Sequence, residues 1–221
     1  MLTAIAGPER TQAARLDRGP DIGYRRARAE CLAQQLDGVL DDAESALDEA
    51  VAARHSLQLA WLSLCDRGWP SDPLAAPVDS SHVWQWLAYW SELVALPVRV
   101  VLPRDLVRLR RIRRRLDQCE TSLRGVLPPA VWRLADPLDE TGRSTLAFIL
   151  LGAQAWLDAK SRCAAALAQR ERMTAFLTRL SQQARALDLA VPVAPLDLAA
   201  WREVAAAARS LVVQIRHGSA A

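Results

Sequence analysis

The chain has 221 residues, 51% of them apolar and 24% charged, with a formal net charge of +3. So large an apolar fraction with so little net charge excludes disorder as the main state, and 9 Gly and 4 Cys exclude collagen-like and disulfide-stapled classes. The length suits one domain, or two small ones, with enough apolar side chains to close a core.

Residues 1–20 are expected to form a poorly ordered N-terminal segment, and residues 21–221 a single helical domain. After Pro20 a helical pattern runs with almost no breaker to Gly68. Leu36, Leu40, Ala43, Leu47, Ala50, Arg54, Leu57, Trp61 and Leu64 alternate steps of four and three, a heptad seam that predicts a long helix over about 21–67. Gly38 lies inside it and costs about 1 kcal/mol relative to Ala. Gly68-Trp69-Pro70 is a stop signal.

The Pro-rich stretch WPSDPLAAPVDSS reads as a loop. Ser80 or Ser81 then caps a short helix from about His82 to Leu96, which Pro97 ends. Residues Val98 to Leu102 read as an extended connector or a continued helix. Pro103 opens the next helix at its first position, and the seam Leu109, Ile112, Leu116, Cys119, Leu123 carries it to about Arg124. A short turn around Leu127 to Leu134 and the polar stretch DPLDETGRS follow. A second long helix is predicted over about 144–187. Asp197 is the N-cap candidate for a last amphipathic helix, Leu198 to about Arg216. Two helices of ~45 residues would each run ~65 Å, so the expectation is an all-α, elongated helical bundle, unless the helices break at Gly38 or Gly152.

Charge is segregated along the chain. Glu30, Asp37, Asp41, Asp42, Glu44, Asp48 and Glu49 form a block with no cation among them, whereas Arg99 to Arg115 holds eight arginines against Asp105. Packed together the blocks would cancel and set register between helices, in one chain or across a homodimer. Read outward, Arg104, Arg108, Arg110, Arg111, Arg113, Arg114 and Arg115 would bind nucleic acid with a steep salt dependence. No helix-turn-helix, RNA-binding or zinc-finger signature accompanies them. An anionic membrane surface is a third reading, weakened because the arginines point in too many directions to leave one apolar side.

Eight Trp stand against two Phe and two Tyr. Trp84, Trp86, Tyr89 and Trp90 crowd one helix whose apolar residues cover more than half its circumference, so most of that helix must be buried, in its own bundle or against a partner.

Chemistry-bearing patterns are sparse. His55, His82 and His217 have no neighbour at metal-ligand spacing, and no phosphate-binding glycine loop or nucleophile elbow occurs. Two carboxylate pairs, Asp41/Glu44 and Asp117/Glu120, sit one turn apart on different helices, as in helical hydrolases that hold Mg²⁺. Their residue types and separation depart from that pattern. The longest uncharged apolar stretch, Thr145 to Leu157, falls short of the roughly 20 residues of a spanning helix, so no membrane span is expected. The opening residues lack the cationic start and apolar run of a signal peptide. Cys31, Cys65, Cys119 and Cys163 are scattered without a CxxC, which reads as free thiols in a reducing cytoplasm.

The expected function is accordingly a non-catalytic, cytoplasmic assembly or adaptor protein with no cofactor or metal. Its docking surface would combine the Arg104–Arg115 helix with Trp84, Trp86 and Trp90; the alternative is a nucleic-acid-binding component using the same arginines.

Overall fold

The computed structural model describes residues 22–71, 81–96 and 103–218. The N-terminal segment 1–20, the Pro-rich loop beyond residue 71 and the connector 98–102 lie outside the described residues. Every regular element among the described residues is an α-helix: α1 (Ile22–Asp66), α2 (Ser81–Val94), α3 (Pro103–Arg124), α4 (Pro129–Leu134), α5 (Glu140–Arg185) and α6 (Leu198–Gly218). The fold is all-α and bundle-like, as the helical periodicity predicts, and no helix among the described residues is long and apolar enough to cross a membrane.

Both long helices run unbroken through their glycines. Gly38 faces open space, whereas a Cβ at Gly152 would come within 2.8 Å of Arg67 Nη1, so the second glycine lets the end of α1 approach α5 closely. Helix α1 stops as its sequence predicts. Gly68 takes φ +87°, Trp69 N–H donates to the Leu64 carbonyl at 3.2 Å, and Gly68 N–H donates to that of Cys65 at 2.9 Å. This is the paired-bond stop that a left-handed residue makes possible. Helix α5 ends in the same way on Asp188, at φ 59°. It begins four residues earlier than expected, because Asp139 caps it: Asp139 Oδ1 accepts Gly142 N–H at 2.9 Å. Asp197 caps α6 as expected, its Oδ1 accepting Ala200 N–H at 3.1 Å.

The described residues divide into two compact units, one within residues 1–49 and 167–221 and the other within residues 50–166. The first unit centres on Leu32, Leu36 and Leu40 of α1, Leu177, Leu180 and Ala184 of α5, and Trp201, Val204, Ala205 and Ala208 of α6. Fully burying one such leucine contributes ~1.5–3 kcal/mol. Trp201 is sunk in this core with its Nε1–H satisfied by the Pro195 carbonyl at 3.0 Å.

Along the edge of that core runs a ladder of ion pairs between α1 and α6. Glu30 meets Arg216 at 3.0 Å, Asp37 meets Arg209 at 3.3 Å, and Glu44 meets Arg202. Both series step by seven residues in opposite directions, so the rungs fix an antiparallel heptad register. The acidic block therefore does pair helix to helix, but three of its acids find the arginines of α6, which the sequence alone did not single out. Each rung is about half exposed, so solvent screens it and the ladder sets register more than it adds stability. The Glu30 carboxyl is held below the ordinary carboxylate range, first by its hydrogen bond from Arg26 and also by Arg216.

The second unit packs Leu64 and Trp69, Val83, Trp86 and Leu87 of α2, Ile112, Leu116, Cys119 and Leu123 of α3, Val131 of α4, and Leu146, Ile149 and Leu150 of α5. The Trp61 and Trp156 rings join its edge at 5.4 Å between centroids.

Candidate functional site: the arginine face of α3

Helix α3 buries a narrow stripe, Ile112, Leu116, Cys119, Glu120 and Leu123, and exposes nearly everything else. Steps of four and three place the four apolar members on one side, as the predicted seam requires. Arg104, Arg108, Arg110, Arg111, Arg113, Arg114 and Arg115 are all exposed. They are crowded into about 16 Å of helix.

Seven cations so placed do not favour their own helix. The pairs 104/108, 110/114 and 111/115 are four apart and 108/111, 110/113 and 111/114 three apart, and each like-charge pair at such spacing costs ~0.2–0.5 kcal/mol when exposed. Arg104 also sits at the positive end of the helix dipole, which only Asp105 offsets in the first turn. Within the described residues only two of the seven are compensated. Arg108 pairs with Glu92 of α2 at 2.8 Å, and Arg115 lies over the Tyr89 ring at 5.3 Å while donating to its hydroxyl at 3.4 Å. Arg104, Arg110, Arg111, Arg113 and Arg114 form no ion pair or hydrogen bond among the described residues. Between α2 and α3 the side chains of Arg104, Arg108, Arg111 and Arg115 line a groove with Glu92 and the apolar Val107.

The tryptophans of α2 do not join this groove as a group. Trp86 is fully buried, so it has no surface with which to touch a partner and belongs to the core. Trp90 is half-buried and stacked on it at 5.9 Å. Trp84 is exposed, but it leaves α2 about 140° around the helix from Tyr89, so it stands away from the side that meets Arg115.

Trp86 has a polar duty as well. Its Nε1–H donates to Glu120 Oε1 at 3.2 Å, and the same carboxylate receives Arg143 Nε at 2.9 Å. Arg143 also donates to Asp117 Oδ1 at 2.7 Å. Both acids of the Asp117/Glu120 pair are thus engaged by a guanidinium from α5, which locks α2, α3 and α5 together. The Glu120 carboxylate holds Arg143 protonated above its already high range. Burial, followed by the Glu120 charge, pushes the neighbouring Cys119 thiol up. Among the described residues no group of three or more His, Cys, Asp or Glu side chains is placed to hold a metal ion. His55, His82 and His217 are exposed.

The sequence displays the arginines and the seam beneath them, but not the role of Arg143. That residue stands in the polar stretch just before the expected helix start; the signal for it is Asp139, an N-cap residue three positions before Gly142. Comparison with family models, with curated proteins and with solved structures finds no match to this chain.

Proposed function

We propose that this chain is a non-catalytic helical assembly protein that docks an acidic helical surface against the arginine face of α3 and the groove beside α2. One observation carries the reading. Five guanidinia of the face have no partner among the described residues, although the like-charge pairs 110/113, 110/114 and 111/114 among them work against the helix that bears them. A charge arrangement that breaks a local rule without compensation among the described residues points to a functional surface. The rigid support beneath it fits the same role, since the stripe Ile112–Leu123 and the Trp86–Glu120–Arg143 network fix the face before anything binds.

The test uses residues with no ion pair or hydrogen bond among the described residues. Arg104→Glu, Arg111→Glu and Arg114→Glu together are expected to abolish retention of an acidic partner in a pull-down while leaving the helical circular dichroism unchanged. Unaltered retention overturns the proposal.

A second reading, nucleic-acid binding, is favoured by the spread, over more than one side of α3, of arginines without a partner among the described residues. Five phosphate contacts would give a slope of log affinity against log salt of about −4.5. Mobility shifts with unrelated DNA and RNA at two salt concentrations separate the readings: salt-steep binding by a monomer supports nucleic acid, and indifference to both supports protein docking.

A further inference from the structure

Resting on the docking reading above, the geometry points to a second copy of this chain as the acidic occupant, presenting the outward face of its α1 to the arginine face of α3. Of the acidic block, Glu30, Asp37 and Glu44 are engaged by α6, but Asp41, Asp42, Asp48 and Glu49 are exposed and form no ion pair or hydrogen bond among the described residues. Asp41 and Asp48 are seven residues apart, and so are Asp42 and Glu49. The four make two short files that straddle the side of α1 opposite the buried Leu36, Leu40, Ala43 and Ala50.

The arginines without a partner among the described residues offer one matching spacing. Arg110 and Arg114 stand opposite the buried stripe of α3, Arg113 flanks it, and Arg104 and Arg111, seven apart, turn toward the groove beside α2. Each chain therefore carries two exposed helix faces of opposite sign, four carboxylates on one and five guanidinia on the other, and Arg104/Arg111 share the axial spacing of about 10.5 Å of Asp41/Asp48. Laid side by side, Asp41 and Asp48 of one copy reach Arg111 and Arg104 of another without a change of pitch. The face on α1 and the face on α3 are different surfaces, so the contact is heterologous: it closes into a ring or reciprocal dimer, or it propagates.

Interaction through exposed charges is salt-sensitive, because screening shortens from about 10 Å at 0.1 M to about 3 Å at 1 M. Sedimentation of the purified full chain over a range of concentrations tests the inference. At about 0.1 M salt the weight-average mass is expected to rise with concentration above the monomer's 24.3 kDa; at about 1 M it returns to that value. Asp41→Arg/Asp48→Arg and Arg104→Glu/Arg111→Glu are each expected to remain monomeric at low salt. Mixed in equal amounts they should associate again, because the reversed α1 of one meets the reversed α3 of the other, which also shows that both variants are folded. Wild-type chain that stays monomeric, a variant that associates as the wild type does, or a mixture that fails to recover would each overturn the pairing. A monomeric wild type that still retains an acidic partner through α3 overturns the second-copy occupant alone and leaves the docking reading standing.

Discussion

Glu120 is the residue on which the second unit's polar interior turns. Its side chain is almost fully buried and receives donors from Trp86 and Arg143, so truncation leaves a buried indole N–H and a largely buried guanidinium short of a partner. Glu120→Ala is expected to lower stability by about 3 kcal/mol in urea denaturation. Replacing Glu120 and Arg143 together by Leu and Met should recover the share of that loss due to the stranded guanidinium, while the Trp86 N–H stays without its acceptor. The sequence displays Glu120 and Asp117 as a one-turn carboxylate pair but offers no view of the cation, 23 positions beyond Glu120, that occupies them. Thiol reactivity should follow the same local physics. Cys31 is exposed, while Cys119 is buried and its thiol pushed up, so a thiol reagent at neutral pH should modify Cys31 first and reach Cys119 only on unfolding. A Cβ at Gly38 would meet no atom within 4 Å, and Gly38→Ala is expected to raise stability by about 0.5–1 kcal/mol in the same denaturation assay.

At the scale of elements, the heptad seams are legible because leucine and alanine at steps of three and four leave no other way to bury them. Helix α1 and helix α6 accordingly fall where the pattern places them. The start of α5 is not legible: Asp139 and Ser144 are both acceptable caps, and only the packed chain decides that the Asp139 carboxylate takes the Gly142 amide. The partner of the acidic block is hidden for a related reason. Eight arginines in one run stand out, whereas Arg202, Arg209 and Arg216 are diluted among alanines and valines, although their spacing of seven matches that of Glu30, Asp37 and Glu44. The ladder makes a titration prediction. A carboxyl whose folded pKa is depressed contributes stability in full above its unfolded pKa, near ~4.3, and loses it as pH falls through the folded value. The side-chain carboxyl of Glu30, followed by NMR, should titrate below the free Glu midpoint. Arg26→Ala should raise that midpoint more than Arg216→Ala does, because Arg26 supplies the larger share of the depression.

For the whole molecule, charge and fold part company in an informative way. The first unit sets its acids and arginines against each other at the α1–α6 edge. The second leaves its densest cationic stretch largely unpaired among the described residues, over a core that is itself well filled. If the arginine face exists for docking, it should contribute nothing to the folded state. The most direct measurement is therefore the stability of a chain with Arg104, Arg110, Arg111, Arg113 and Arg114 all replaced by Gln, in urea at about 0.1 M salt. Relief of like-charge repulsion along α3 predicts a stability equal to the wild type or higher by about 1 kcal/mol, accompanied by loss of partner retention. A fall of about 1 kcal/mol or more, with retention intact, would contradict the account, because those arginines would then be holding the fold and not a partner.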